Sequence, residues 1–309
     1  MEAVITLTMN PALDVSTSVE RVFSKHKLRC SGVRFDPGGG GINVARVTQR
    51  LGGQATALYA AGGPLGQVYQ GLLDAELDGA QAISIEGNTR QSFHVNETST
   101  GEEYRFVLEG PQWREEEWRG ALERVGTALS KGAYLVVSGS LPPGVPPDFT
   151  ARLSRLAKEA GARCVVDASG ASLKAALEEG VFLVKPTRRE LRELTGAELE
   201  TREEQETVLR RIISDGGSEV VALSLGGEGA LFASRDAVFH IAAPSVEARS
   251  AVGAGDSFLA ALVLRLAQGN GLEDAARYAV AAGAAALLSE GTEMCHAEDV
   301  ERLYRETAS

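Results

Sequence analysis

The chain has 309 residues, with 31 Lys and Arg against 42 Asp and Glu, a formal net charge of −11. Hydrophobic residues make up 44% and charged residues 24%, and the apolar ones are spread along the whole chain, which excludes intrinsic disorder. A chain-wide basic surface is absent, so no nucleic-acid partner is expected, and an anionic ligand must be met by local cations or backbone amides.

A chain of this length buries roughly three-quarters of its unfolded surface and needs no disulfide or metal to hold it. No run of the ~20 apolar residues that a spanning helix requires is found, so no membrane partner is expected. The opening residues lack the basic leader and apolar block of a signal peptide. Cys30, Cys164 and Cys295 are odd in number, widely spaced and without a C-x-x-C pair. They read as reduced thiols of a cytoplasmic protein. His26, His94, His240 and His296 are scattered, which argues against a metal site built from them.

In chain order, residues 4–8 read as a strand, 42–51 as a helix, 55–60 as a strand and 66–77 as a helix. Residues 114–130 form a polar amphipathic helix leading into a strand at 134–137. A helix at 148–160 leads to a strand at 164–166, and further strands end at Val184 and span 219–223. Short apolar runs alternating with longer amphipathic ones predict crossover units and a parallel sheet covered on both faces. From Asp256 onward the pattern is almost wholly helical. Two stretches break the rhythm. Residues 14–35 alternate like strands, and 92–97 with 104–107 flank a Thr98-Ser99-Thr100-Gly101 turn, a hairpin signature. These segments, about 14–35 and 89–108, are expected to form a small sheet inserted in a single α/β domain of 1–309.

Four segments carry candidate chemistry. In Val252-Gly253-Ala254-Gly255-Asp256-Ser257, two glycines precede an apolar helix. The amides of Gly253, Ala254, Gly255 and Asp256 would converge on one point with the helix dipole behind them, an anion hole for a phosphoryl group. Helix-terminal placement favours ionised Asp256, which can take a proton from a hydroxyl, though a simple helix cap explains it equally well. Gly38-Gly39-Gly40-Gly41 before a helix exposes backbone to a close ligand, and Asn43 on the first turn can bind a polyol. In Val184-Lys185-Pro186-Thr187-Arg188-Arg189-Glu190 a strand ends and Pro186 starts a helix. Glu190 there either holds water on Mg²⁺ or merely favours the dipole. Residues 221–230 turn through Gly226, Gly227 and Gly229 and return as a second strand, able to cover a nucleotide or to be a plain hairpin. Walker, Rossmann, nucleophile-elbow and H-E-x-x-H patterns are absent.

Taken in order, six segments resemble the PfkB/ribokinase family of sugar kinases over essentially the full length. They are 6–14, 38–46, Ser138-Gly139-Ser140-Leu141-Pro142-Pro143-Gly144, Val184-Lys185-Pro186, Ser224-Leu225-Gly226 and 252–257. The resemblance implies a ribokinase-like three-layer αβα sandwich with a small β-sheet lid. Within the family the chain is most similar to the minor bacterial 6-phosphofructokinases. The features that favour this branch are Gly40 where 1-phosphofructokinases carry Lys, Lys27-Leu28-Arg29-Cys30, Thr89-Arg90-Gln91, and Tyr104-Arg105-Phe106.

That branch implies ATP-dependent phosphorylation of the 1-hydroxyl of fructose 6-phosphate, a glycolytic step, with Mg²⁺. By resemblance Asp14 and Asn43 hold sugar hydroxyls, with Gly39 close by and Ser140 lining the site. Lys27, Arg90 and Arg105 meet the 6-phosphate. Lys185, Thr187, Ser224, Gly226 and Gly229 meet the nucleotide, Glu190 positions Mg²⁺ through water, and Asp256 is the base. A K⁺ site through carbonyls near Ser250, Val252, Ser289 and Gly291 is a further family expectation. Thr187 departs from the family's Asn, and Phe23 from a Tyr beside which close relatives bind an inhibitory MgATP. The lid's exposed strands predict a homodimer clasped through it. The alternatives are a 1-phosphofructokinase, a tagatose-6-phosphate kinase, or a non-catalytic sugar-phosphate-binding regulator.

Overall fold

Alternate residues of the buried strands face two different apolar layers, and that division organises the fold. The computed structural model describes residues 1–289 and 293–307. The chain begins β1 (Val4–Thr8), β2 (Ala12–Val19), β3 (Ser31–Gly38), α1 (Gly40–Arg50), β4 (Ala55–Ala61), α2 (Gly63–Asp74) and β5 (Ala80–Ser84). Then come β6 (Arg90–Glu97), β7 (Glu103–Val107), α3 (Glu115–Ala128), β8 (Tyr134–Ser138), α4 (Phe149–Glu159) and β9 (Arg163–Asp167). The middle holds α5 (Gly170–Glu179), β10 (Val181–Val184), α6 (Arg188–Thr195), α7 (Arg202–Ser214) and β11 (Ser218–Ser224). It ends with β12 (Ala230–Ser234), β13 (Val238–Ile241), α8 (Ala254–Ala267), α9 (Leu272–Ala286) and α10 (Ala297–Glu306).

Nine strands pair in the order β13-β12-β11-β10-β9-β8-β1-β4-β5. They are parallel except for the antiparallel return β11-β12-β13. Tyr134 and Val136 of β8 pack in one layer with α1, α2, α8, α9 and α10. Leu135 and Val137 pack in the other with α3 to α7. This is the three-layer sandwich, with the period-2 pleat assigning each side chain to a layer. From β1 the chain moves outward through β4 to β5, then crosses back to β8 on the other side of β1. The carboxyl ends of strands at such a reversal open a crevice, and Asn10, Ser140, Asp167, Lys185 and Ser224 all lie at or just beyond those ends.

The second sheet has the order β3-β2-β6-β7. Its strands come from the two stretches that broke the sequence rhythm.

Two boundaries differ from expectation. The helix expected at 66–77 is α2 at Gly63–Asp74, because Gly62 caps it and Pro64 falls in its first turn, where a fixed φ favours initiation. Pro186 does not start α6. Thr187 caps that helix, and Pro186 precedes the cap.

The four-glycine block is tightly packed rather than flexible. A Cβ on Gly38 would overlap the Asp14 carboxylate, and one on Gly40 would overlap Ser138 Oγ. One on Gly41 would lie 2.5 Å from Thr8 Oγ1 and 2.7 Å from Leu7 O. The helix therefore enters against β1 at a distance only glycine permits. Gly120, inside α3, has nothing within 4 Å of the same point. Gly120→Ala should thus gain about 0.5–1 kcal/mol from helix propensity. Gly41→Ala should lose a net ~1–3 kcal/mol to overpacking. Urea unfolding of both variants checks this, and equal shifts would contradict the packing argument.

Candidate active site

The glycine-rich turn before α8 is the anchor. Gly253 caps α8 with φ 75°, in the left-handed region where glycine is unstrained, and a Cβ there would overlap the buried Met294 sulfur. The first helical bond runs from Ser257 N to Gly253 O at 2.8 Å. The amides of 253–256 lie ahead of it, without intrahelical acceptors, at the positive end of a 14-residue helix. A Cβ on Gly255 would be 3.5 Å from Lys185 Nζ, so a side-chain cation stands beside the amides.

Asp256 is not the cap. It sits at the third helical position and accepts a hydrogen bond from Asn43 Nδ2 at 2.8 Å. Asn43 is delivered by the glycine block, its amide bonded to Gly39 O at 2.9 Å. Asn43 Oδ1 is buried with no partner, as is Asn10 Oδ1. Asn10 Nδ2 donates to Ser140 Oγ at 3.1 Å. Buried polar atoms are rarely left unpaired, and Asn43 Oδ1 beside Asp256 suits a ligand rich in hydroxyl donors.

Burial, reinforced by nearby Asp167, pushes the Asp256 carboxyl up to about 6, against the opposing influence of Asn43 and Lys185. The helix-end placement expected to favour the ionised form is opposed here by burial and by Asp167. Desolvation and a like charge outweigh the dipole. The result is a carboxyl that titrates close to neutrality, the range in which a general base is most effective. Lys185 pairs with Asp167 Oδ1 at 3.1 Å and is only 5% exposed. Burial alone would lower its pKa, but Asp167, Asp256 and Glu190 together hold it above the usual value.

The nucleotide-side residues also converge. Lys185, Thr187, Ser224, Gly226, Gly229, Ala254 and Gly255 line one cavity of about 840 Å³, with Val246, Phe258, Val280 and Leu287 on its apolar wall. Ser224 N donates to Pro186 O at 3.0 Å, joining β11 to the segment before α6. Thr187 and Glu190 form a reciprocal cap. The Thr187 amide donates to Glu190 Oε2 at 2.7 Å and the Thr187 hydroxyl at 2.9 Å.

On the other side, Arg90 is tied down by its Nε and Nη2 donating to Asn10 O and Nη1 to Leu108 O. Asp14 lies on the same face of the small sheet, because Ala12 pairs Arg90 and Asp14 pairs Ser92. Arg105 reaches the same face opposite His94 but is paired with Glu103 at 3.0 Å. Lys27 lies in the exposed loop between β2 and β3, and no contact brings it to Arg90 or Arg105. The expected cation cluster is therefore represented here by Arg90 alone.

Of the K⁺ expectations, Ser250 and the Ser289 segment adjoin, with Ser250 N 3.5 Å from Leu287 O. Val252 N donates to Ser250 Oγ, and Gly291 lies outside the described residues. Among the described residues no group of three or more His, Cys, Asp and Glu could hold a metal unaided.

Sequence reasoning missed Asp167, Ser138 and Asn10. Asp167 closes β9 after Cys164-Val165-Val166, and only its pairing with Lys185 in the fold marks it.

A model of the pfkB family carbohydrate kinases matches residues 3–299. The chain is 44% identical over 301 residues to the ATP-dependent 6-phosphofructokinase isozyme 2 of Mycobacterium tuberculosis, covering 97% of this chain and 88% of that protein. The phosphofructokinase-2 of Escherichia coli has been solved with potassium, with fructose-6-phosphate, and in a tetrameric inhibited form. Each structure covers 100% of both chains at 39–40% identity, with TM-scores of 0.96, 0.95 and 0.95 respectively. A 1-phosphofructokinase of Xanthomonas campestris is 35% identical over 282 residues, covering 90% of this chain and 88% of that protein. The chain belongs to the pfkB carbohydrate kinase family, and its fold is ribokinase-like.

Because Asp256 must be ionised to accept a proton, log kcat/KM should fall with unit slope as pH drops through about 6 and level off above it. The same upward shift means that ionised Asp256 costs the fold stability above pH 6 and that this cost vanishes in acid. Asp256→Asn should accordingly melt no lower than the native protein at pH 8. A rate profile flat down to pH 5 would remove Asp256 as the base.

Proposed function

We propose that this kinase transfers the γ-phosphoryl group of ATP to the 1-hydroxyl of fructose 6-phosphate. The observation that carries the reading is Asp256 itself. It joins the polyol-facing Asn43 to the anion-binding turn that opens onto the nucleotide cavity.

The chemistry follows from that placement. Asn43 and Asp14 take sugar hydroxyls, Ser140 lines the sugar's flank, and Arg90 faces the 6-phosphate, with Arg105 and Lys27 closing on it when the small sheet moves as a lid. The 1-hydroxyl gives its proton to Asp256 as its oxygen attacks the γ-phosphorus. The bond from that phosphorus to the bridging oxygen breaks, and ADP leaves with the electron pair. The amides of 253–256 and Lys185 stabilise the charge on the migrating group without rearranging, which is where such sites obtain most of their acceleration. Thr187, Ser224, Gly226 and Gly229 hold the polyphosphate.

The donor set fits Mg²⁺, which is usually bound through one or two carboxylates, water and substrate phosphates rather than a protein cage. Thr187 occupies one Glu190 oxygen, leaving Oε1 for a water of that ion, which when bound neutralises phosphate charge. The 249–252 and 287–289 segments are the ones that would hold K⁺. The enzyme is placed in the cytoplasm, where ATP and sugar phosphates are found.

The preference for fructose 6-phosphate over fructose 1-phosphate rests on Gly40 and on the higher identity to the 6-phosphofructokinase. Any side chain at position 40 would displace Ser138. An ADP-release assay over fructose 6-phosphate, fructose 1-phosphate and tagatose 6-phosphate should give the highest kcat/KM with the first. A tenfold preference for either of the others would reassign the substrate, and sugar-phosphate binding without ADP release would indicate the non-catalytic regulator. Asp256→Asn should lower kcat by about 10²–10⁴ with little change in substrate binding.

We further propose a homodimer through the small sheet. Phe35, Val15, Phe93 and Phe106 form one row across its four strands. The two ends of that row, Phe35 and Phe106, are 47% and 54% exposed. An apolar row across a sheet with two open edges favours a partner sheet. Light scattering should give twice the chain mass, and Phe106→Glu should shift it toward the single chain. A native monomer at working concentration would end this proposal.

A further inference from the structure

Three basic side chains line the nucleotide cavity: Lys185, Arg188 and Arg189. Lys185 is held by Asp167 beside the anion-binding turn. Arg189 points away from any such role, with an 87% exposed side chain paired to Glu193 one turn along α6. Arg188 is different. It occupies the first position of α6, where the helix dipole repels a cation and attracts an anion. Its side chain is only 30% exposed, and its Nε is buried without a hydrogen-bond partner. Among the described residues its counter-ion is Glu228, whose Oε1 accepts from Nη2 at 2.6 Å.

Glu228 comes from the neighbouring segment beyond β11, which Ser224 N joins to Pro186 O at 3.0 Å. It lies in the short 3₁₀ turn Gly226–Glu228, between β11 and β12, whose glycines line the same cavity. Its side chain is 62% exposed, so it is a weakly anchored partner in reach of water. The Arg188 guanidinium beside it holds its carboxyl below the usual range. The pair therefore lies on the cavity wall, with a cation in a place that suits an anion, one donor unmade, and an exposed carboxylate as its present partner. A polyphosphate in this cavity offers several oxygens that satisfy both the guanidinium and the helix end, and its charge repels Glu228.

We propose that Arg188 is a further binding residue for the polyphosphate of the nucleotide, and that Glu228 is a competitor which the phosphates displace. This rests on the kinase reading given above. Arg188 donates its planar fork to phosphate oxygens, and Glu228 turns out to solvent. No bond to phosphorus is made or broken by either residue.

The test is titration calorimetry of MgATP without sugar, together with steady-state rates, on the native enzyme, Arg188→Gln, Arg188→Lys, Glu228→Gln and the double variant Arg188→Gln/Glu228→Gln. Arg188→Gln should raise both the Kd and the KM for ATP about tenfold, with kcat and the KM for fructose 6-phosphate within about twofold. Arg188→Lys should recover part of that loss. Glu228→Gln should tighten ATP about two- to fivefold, and the double variant should match Arg188→Gln, because the carboxylate acts only through the arginine. If Arg188→Gln binds ATP like the native enzyme, or if Glu228→Gln weakens ATP as much as Arg188→Gln does, the pair is a structural brace and the proposal falls. A native protein that binds no ATP at all would sink the kinase reading itself, which the first comparison keeps separate.

Discussion

One hydrogen bond holds the site together. Asn43 on α1 and Asp256 on α8 are 213 residues apart and meet at 2.8 Å. For that to happen both helices must enter the crevice end-on, each from a glycine-lined start. On the α1 side the glycines let the chain press against Thr8, Leu7 and Ser138, so the helix lies directly on β1. On the α8 side Gly253 takes a left-handed conformation against Met294. Neither approach tolerates a Cβ, so the sequence spends its glycines where two helix ends must be brought within reach of one ligand.

The electrostatics follow from the same convergence. Bringing helix ends, strand ends and substrates to one crevice also concentrates acidic side chains on a protein that is already negative. Asp167, Asp256 and Glu190 act on one buried lysine. Lys185 holds Asp167 closely, and Asp256 is left with a raised proton affinity. A lone aspartate at a helix start would be a weaker base. The raised proton affinity of Asp256 comes first from burial and then from the like charge of Asp167, and neither is visible in any single motif.

Much of this was legible in the sequence, because its strongest signals are local. Strand runs such as 4–8 and 134–137 and the Gly-Ala-Gly-Asp turn each carry their own periodicity or turn chemistry, and they appear where expected. The hairpin of β6 and β7 was announced by Thr98 to Gly101. What escaped was set by tertiary contact or by a weak pattern. α5 and β5 have short, mixed apolar runs. α7 went unassigned although Thr201 and Glu204 form the reciprocal cap that marks a helix start. Asp167 escaped because a carboxylate after a strand says nothing alone; its role appears only once Lys185, nearly twenty residues on, folds beside it. Lys27 was placed at the substrate by resemblance. Its exposed loop leaves that role to a motion or to a second chain.

The contact between Gly253 and Met294 carries a constraint from outside the crevice into it. The glycine turn before α8 is packed from behind by Met294, and Arg50 of α1 fastens that same stretch by donating to the carbonyls of Met294 and Cys295. Position 294 thus stands behind the turn without belonging to the crevice, and a change in the size of its side chain reaches Gly253 through packing alone.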